Sequence, residues 1–281
     1  MTRAMGNRFF AASIFVTVAL GSIWHAQGSG NLRDQELVPK SARLNPARVR
    51  SGDPFWKYAR REVYANQPQL DNREAALTAD QLEKYVLRRG NRAKKLVALT
   101  FDDGPHPNYT PQLLDILRKE QVKATFFVIG HMADRYPGLV KQIAAEGHEI
   151  GNHTYSHATL TKLSSDDIET EYKANNDVIH KLTGRRIRYC RPPGGDFNLD
   201  VLRSAAAMGL TTVLWTDDPG DYDNPGDQVL LQREVDKLSD GGIVLLHDGS
   251  KDTLDTLAAF LEDAKRKGYS FVSLDGLGSA K

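Results

Sequence analysis

Residues 96–105 of this 281-residue chain read LVALTFDDGP, in which an apolar and β-branched segment leads directly into two carboxylates. Similar short segments recur downstream and alternate with amphipathic stretches, for example the one behind Ser164 with apolar residues at helical spacing. Strands alternating with helices predict an α/β fold with a parallel sheet, and this length favours a barrel over an open sheet. The predicted strands are residues 96–100, 124–129, 148–151, 187–190, 212–215, 243–246 and 270–274.

Composition and charge narrow the class of protein. Hydrophobic residues make up 40% of the chain, enough for a substantial core, and Cys190 is the only cysteine, so no intramolecular disulfide is possible. Residues 31–95 carry 15 Lys or Arg and 8 Asp or Glu, whereas residues 96–281 have a net charge of about −8. A basic segment of this kind is compatible with contact to an anionic cell envelope. Packing of the segment on its own acidic domain, or simple solvation, is the favoured interpretation. The acidic main domain argues against a nucleic-acid partner.

The N-terminus has the pattern of an export signal. Arg3 and Arg8 flank the start, and residues 9–24 are almost wholly apolar. Trp24 stands where a cleavage site favours a small residue, so an uncleaved signal anchor is the alternative, and a buried helix of the fold is a third. We therefore expect an exported protein of the periplasm, cell envelope or medium, touching a membrane only through this segment if it stays uncleaved.

Ahead of the barrel the sequence predicts an extension with two helices. One covers residues 54–64, and the other covers residues 78–90, where Leu82, Tyr85 and Val86 share one face and Gly90 is placed to end the helix. The resulting division is a signal peptide or anchor (1–26), a tether and helical extension (27–95) and the main domain (96–276).

Adjacent carboxylates and a histidine pair suggest a metal site. Asp102 and Asp103 directly follow a strand, and burying both is costly unless cations are close. His153 and His157 are four residues apart, which would place both rings on one face of a helical turn. With Asp103 as the preferred third ligand they make a two-histidine, one-carboxylate site with positions left for water and substrate.

Two further motifs supply polar groups at strand ends. Arg191 precedes two prolines and then Gly194 and Gly195, a stiff and then permissive loop whose exposed backbone N–H could stabilise an oxyanion. His247 ends a very apolar strand, where it is well placed to act as a general acid. The other histidines lack such a context and are interpreted as structural or exposed: His25, His106, His131, His148 and His180.

The chain resembles the polysaccharide deacetylases that share the NodB homology domain, carbohydrate esterase family four. Five motifs in the family's order carry the resemblance, together with the connecting sequences ATFFVIG at 124–130 and GHEIGNHT at 147–154. It covers roughly residues 96–274. The motifs are residues 100–105, 153–157, 191–195, 215–222 and 245–248.

The resemblance implies a distorted (β/α)7 barrel, similar to a TIM barrel, that hydrolyses N-acetyl groups of amino-sugar polysaccharides such as peptidoglycan, chitin or poly-N-acetylglucosamine. It implies a divalent ion, most often Zn²⁺ with Co²⁺ as another option, that polarises the amide carbonyl and activates water. The implied roles are these: Asp102 as base, Asp103, His153 and His157 as metal ligands, Arg191 orienting Asp102 and holding it ionised, His247 as acid with Asp218 as its charge partner, Leu245 lining the acetyl pocket, and the Gly194 N–H at the oxyanion.

Two departures from the family pattern concern substrate binding. Gly194 stands where an aromatic residue is usual, and Tyr222 stands where tryptophan is usual. An O-acetyl esterase with the same site, acting for instance on acetylated xylan, is the closest alternative function. A non-catalytic glycan-binding protein is disfavoured because base, ligands and acid are all present, and a dinuclear phosphoesterase because the motifs offer ligands for one metal only.

Overall fold

The structure, a computed structural model, describes residues 67–278. The segments predicted as signal or anchor, tether and first helix of the extension lie outside the described residues. No helix within 67–278 combines the length and apolar character needed to cross a membrane.

Eight parallel strands form one curled sheet in this part of the chain. They are β1 (Val86–Leu87), β2 (Leu96–Gly104), β3 (Thr125–Val128), β4 (Glu149–Asn152), β5 (Tyr189–Cys190), β6 (Thr211–Val213), β7 (Ile243–His247) and β8 (Ser270–Val272). Their order is β1-β6-β5-β4-β3-β2-β7, and β8 pairs with β2. Just after β6, Thr216 N donates to Ile243 O and Asp217 O accepts from Leu245 N. The residues after β6 therefore bond to the edge of β7 that does not pair with β2. The predicted α/β barrel of parallel strands is confirmed.

Ten α-helices surround the sheet in residues 67–278. They are α1 (Gln67–Ala75), α2 (Ala79–Tyr85), α3 (Thr110–Lys119), α4 (Gly130–Arg135), α5 (Pro137–Ala145), α6 (Ser165–Thr183), α7 (Leu199–Ala207), α8 (Asp227–Asp236), α9 (Lys251–Arg266) and α10 (Leu274–Leu277). The predicted cap of α6 is present, because the Ser164 hydroxyl accepts from Asp167 N at 3.3 Å. The helix ends at Gly184, whose φ of 70° suits glycine.

The predicted helix over residues 78–90 is only partly correct. Thr78 caps α2 with a capping box to Gln81, but the helix ends at Tyr85. Val86, expected on the helix face, instead begins β1 and pairs with Thr212 of β6. The edge of β6 offers unpaired backbone groups, and pairing with them outweighs one more helical turn for a β-branched valine.

The parallel arrangement places the site. Strand β2 is central, and every residue from Val97 to Gly104 is buried. Because all strands run the same way, the residues that follow their carboxyl ends gather at one end of the barrel. The five sequence motifs lie at these ends.

One buried carboxyl group makes stability depend on pH. Glu234 of α8 is 2% exposed, and its Oε1 accepts from the Thr256 hydroxyl of α9 at 3.2 Å, while Oε2 has no hydrogen-bond partner among the described residues. Burial raises the pKa of Glu234 from 4.5 to about 8. The folded state therefore keeps a proton that the unfolded chain releases, so this group's stabilisation is complete below pH 4.5 and is lost as pH rises through 8.

We expect Glu234→Gln to stabilise the fold at alkaline pH, since the amide cannot ionise. The gain in unfolding free energy should be about 2–4 kcal/mol larger at pH 9 than at pH 5. Urea unfolding of both proteins at the two pH values measures it, with the exposed Glu169→Gln as control. Equal changes at both pH values would contradict the burial of an ionisable group here.

Candidate active site

The two carboxylates of β2 are buried and have different partners. Asp102 is fully buried, and its Oδ1 accepts from Arg191 Nη1 at 2.7 Å. Asp103 is 4% exposed and contacts two histidines instead. The backbone of Asp103 has a φ of 70°, a left-handed conformation that is strained for a residue with a side chain. Because of this backbone turn, the carboxylate of Asp102 meets Arg191, whereas the carboxylate of Asp103 meets His153 and His157.

Asp103, His153 and His157 converge on one point. The Nε2 atoms of His153 and His157 lie 3.3 Å and 3.1 Å from Asp103 Oδ1, and one ligand atom from each residue falls within 4.8 Å of the others. Burial alone would raise the pKa of Asp103, but the charge of the neighbouring His157 holds it well below its usual range. The structure thus brings together the three predicted ligands.

The protonation of His153 follows from its other nitrogen. Nδ1 lies 2.7 Å from the backbone oxygen of Arg191, and a carbonyl oxygen only accepts, so Nδ1 carries the proton. In the neutral ring Nε2 therefore holds the lone pair that faces Asp103. A histidine fixed in this way through its far nitrogen is typical of metal ligands in proteins.

The two histidines do not lie on a helical turn as predicted. They follow β4 in an irregular loop in which Thr154 and His157 have φ of 61° and 59°. The buried carboxylate of Glu171 holds this loop, accepting from Tyr155 N at 2.9 Å and Ser156 N at 2.8 Å. Side-chain bonds to the backbone outweigh the local helical spacing. Glu171 was missed from the sequence, because it lies on the amphipathic helix α6 with no motif around it.

Arg191 lies beneath the carboxylate of Asp102. It is fully buried, and its guanidinium also donates to Thr100 Oγ1 at 2.9 Å and to Val213 O at 3.2 Å. Its Cζ lies 4.2 Å from the Phe127 ring centroid. These contacts fix the guanidinium against the carboxylate of Asp102. Asp102 Oδ2 has no hydrogen-bond partner among the described residues and lies 3.8 Å from His153 Nε2.

The predicted partner of His247 was wrong. Nδ1 of His247 lies 2.6 Å from Asp221 Oδ1, and its backbone N donates to Asp221 Oδ2 at 2.8 Å. Asp218 instead accepts from Gly220 N at 2.9 Å and from the Tyr222 hydroxyl at 3.3 Å. Gly220, with a φ of 76°, turns the chain so that Asp221 reaches the histidine. Asp221 lies in the same motif, so its acidity and position were visible, but the turn was not.

Asp221 sets the charge state of His247. Burial alone would lower the pKa of His247, but the charge and hydrogen bond of Asp221, with the charges of Asp103 and Asp102, raise it to about 9. The strand register pairs His247 of β7 with Asp102 of β2. The imidazole of His247 and the carboxylate of Asp102 thus come from neighbouring strands.

The three predicted substrate contacts lie around these groups. Leu245 is fully buried and precedes His247 by two residues on β7, which puts both on one face of the strand. The Tyr222 ring meets the His247 ring edge-on, with centroids 5.7 Å apart. Gly194 lies in a tight turn (Pro193–Gly195) directly after β5 and Arg191, with a φ of 62°.

We expect Asp221→Asn to lower the pKa of His247 well below its value of about 9, because the charge and hydrogen bond of Asp221 are the largest contributions that oppose burial, and only the charges of Asp103 and Asp102 would remain. The pH titration of the His247 ring signals by NMR, in metal-free protein, measures this. Asp218→Asn is the matched control and should change the pKa much less. A larger shift in Asp218→Asn than in Asp221→Asn would show that the pairing is wrong.

Similar proteins agree with the fold and the motifs. The sequence profile of the polysaccharide deacetylase family matches residues 89–213. A peptidoglycan-N-acetylglucosamine deacetylase of Bacillus cereus is 43% identical over 198 residues, covering 69% of this chain and 92% of that protein. The peptidoglycan-N-acetylmuramic acid deacetylase PdaA of Bacillus subtilis is 37% identical over 201 residues, covering 70% and 76%.

Solved structures give the same result. The B. subtilis PdaA structure, a family 4 carbohydrate esterase, has a TM-score of 0.66 at 37% identity and covers 70% of this chain and 87% of its own. A family 4 pseudoenzyme from Bacillus anthracis has a TM-score of 0.66 at 34% identity, with 68% of each chain covered. The parallel barrel, the order of the motifs and these relatives lead to one conclusion: the chain belongs to the polysaccharide deacetylase family of hydrolases.

Proposed function

We propose that this protein is a metal-dependent hydrolase that removes N-acetyl groups from N-acetylglucosamine-containing polysaccharide and releases acetate. One observation carries the proposal. The Asp103, His153 and His157 cluster lies beside a base carboxylate, Asp102, and near His247, whose far nitrogen bonds a buried carboxylate. This arrangement can bind a cation, accept a proton and donate one within a single site.

The donor set fits a divalent ion. Two imidazole nitrogens and one carboxylate oxygen, all buried and converging, match the ligands of catalytic zinc sites, and Co²⁺ accepts the same donors. Asp103, His153 and His157 would hold the ion. When bound, it supplies Lewis-acid polarisation of the amide carbonyl and acidifies water.

The side chains then divide the proton transfers. Asp102 Oδ2, the oxygen not bonded to Arg191, takes a proton from water, whose oxygen bonds to the acetyl carbon. The Gly194 N–H stabilises the negative charge that develops on the carbonyl oxygen. His247, held through Nδ1 by Asp221, gives a proton from Nε2 to the leaving nitrogen as the C–N bond breaks. Acetate and a free amine result, with Leu245 against the acetyl methyl group.

Peptidoglycan is the substrate we favour. The similar B. cereus and B. subtilis proteins are named as peptidoglycan deacetylases, one for N-acetylglucosamine and one for N-acetylmuramic acid. Chitin-like polymers and poly-N-acetylglucosamine have the same acetamido group and remain within the proposal. Gly194 in place of an aromatic residue, and Tyr222 beside His247, are the residues that we expect to influence the choice among these polymers.

Two alternatives share this fold. An O-acetyl esterase uses the same base, metal ligands and acid, and differs only in the leaving group. The B. anthracis relative is described as a pseudoenzyme, so the fold alone does not guarantee catalysis. In this chain Asp102, Asp103, His153, His157, Arg191 and His247 are all present, and each interacts with at least one of the others through a contact or through its charge, which favours an active enzyme.

Export and the division of the chain complete the proposal. A polysaccharide of the cell envelope is reached from outside the cytoplasm, which agrees with the signal pattern of residues 1–26 and the basic residues of 31–95. We assign the deacetylase domain to residues 96–276, with residues 27–95 as tether and helical extension.

Metal-stripped protein should release no acetate from N-acetylglucosamine oligomers or peptidoglycan, and added Zn²⁺ or Co²⁺ should restore release. Parallel assays on acetylated xylan separate amide from ester hydrolysis. Faster release from acetylxylan than from any amino-sugar substrate would favour the esterase. No release from any of these substrates by metal-loaded protein would favour a binding protein.

Separate substitutions of Asp102 and Asp103 distinguish the roles of these two adjacent carboxylates. Asp102→Asn should retain bound zinc and lose at least about 100-fold in kcat, because it removes the base only. Asp103→Asn should lose zinc itself, as should His157→Ala. Zinc content by atomic emission and kcat are measured on the same samples. Near-normal turnover in Asp102→Asn would refute the assignment of the base.

A further inference from the structure

Helix α1 contacts the loop that carries Gly194, although it precedes the part of the chain that the family profile matches. Arg73 Nη1 donates to Gly195 O at 2.8 Å, and Nη2 lies 2.7 Å from Asp196 Oδ1. One side chain of the extension therefore bonds the two residues that follow Gly194.

The same helix also closes the far side of this loop. Leu70 is 1% exposed, and Gly195 lies between Leu70 and the Trp215 ring. A Cβ atom at Gly195 would come within 2.5 Å of Trp215 Cη2 and 3.2 Å of Leu70 Cδ2, and the φ of 63° itself favours glycine. The indole that touches Gly195 also faces the guanidinium of Arg191, with Cζ 5.6 Å from its centroid. A chain of contacts thus leads from Leu70 of helix α1, through Gly195 and the Trp215 ring, to Arg191, whose guanidinium bonds Asp102.

The loop closes its own turn with hydrogen bonds from Gly195 N to Pro192 O at 3.0 Å and from Asp196 N to Pro193 O at 3.1 Å, but its residues also make it sensitive to external contacts. Pro192 and Pro193 stiffen its start, but Gly194 and Gly195 both adopt left-handed backbone conformations that glycine leaves as easily as it enters. On the far side, Asp196 accepts from Arg73 and from the Thr161 hydroxyl at 2.5 Å. These bonds fix the loop after its two flexible residues, as the prolines fix it before them.

We propose that Arg73 is a positioning residue for the reaction, which holds the Gly194 N–H in the direction that the oxyanion requires. The inference rests on the proposed function, in which this N–H meets the acetyl oxygen. The side chains of Arg73 and Asp196 are 28% and 21% exposed, so their ion pair is partly solvated and adds little to global stability. Its effect is on the geometry of the loop. Helix α1 of the extension, outside the family motifs, thereby contributes a positioning residue to the active site of the deacetylase domain.

Kinetics of the full-length, metal-loaded Arg73→Gln variant test the proposal. A misdirected oxyanion donor affects the transition state more than the bound substrate, so kcat should fall about tenfold with KM nearly unchanged. Arg73→Lys should recover part of kcat, because it keeps the charge beside Asp196. Asp196→Asn should also lower kcat, and the double variant should lose less than the product of the two single losses. Zinc content and Tm should stay at the wild-type values.

Arg92→Gln, at an exposed arginine of the same extension, is the matched control and should leave kcat unchanged. Unchanged kcat in Arg73→Gln would overturn the proposal. So would a loss matched by Arg92→Gln, or one explained by lost zinc.

A second measurement decides the matter without turnover. In protein labelled with ¹⁵N-glycine, Arg73→Gln should shift and broaden the Gly194 and Gly195 amide signals and speed their hydrogen exchange, while Gly184 at the end of α6 stays unchanged. If wild-type protein released no acetate, the proposed function would fail, and these amides would still report on the loop. Amide signals identical in wild type and Arg73→Gln would refute the positioning role.

Discussion

The buried guanidinium of Arg191 holds the site together. A charge with no solvent exposure is tolerated only when it is paired and hydrogen-bonded, and Arg191 meets this condition with Asp102, Thr100 and the Val213 carbonyl. Its own backbone oxygen accepts from His153 Nδ1. One residue after β5 therefore orients the carboxylate of Asp102 through its side chain and the ring of His153 through its main chain.

The surroundings of this arginine support the proposed cation at the Asp103, His153 and His157 cluster. Asp102, Asp103 and Asp221 are all buried within a few side chains of each other, and the positive groups near them are Arg191 and the histidines. Carboxylates held this closely in a protein interior repel one another, and a divalent ion at the ligand cluster relieves that repulsion. The left-handed backbones of Asp103, Thr154 and His157 show that the fold also tolerates strain to bring these ligands together.

The support of the site extends beyond the five sequence motifs into neighbouring elements. Glu171 of α6 fixes the loop between the two histidines, and Arg73 and Leu70 of α1 contact the loop after Arg191. Side chains that act on the reacting groups come from strand ends, and side chains that fix those loops come from helices. A relative with the same barrel can accordingly differ in activity or substrate through residues outside the motifs.

The sequence by itself determined the parallel barrel, the cap of α6 and the residues that form the Asp103, His153 and His157 cluster, and it singled out Arg191. These follow from local periodicity, from capping chemistry and from residue types at strand ends. Only the tertiary structure decided that Asp221 and not Asp218 bonds His247, that the histidine pair lies in a strained loop, and that Val86 joins the sheet. The Arg73 contact, 122 residues apart along the chain, is of the same kind. The physical reason is the same for these four features. The spacing of residues along a chain indicates local conformation, whereas backbone turns and residues distant in sequence determine which polar atoms form contacts.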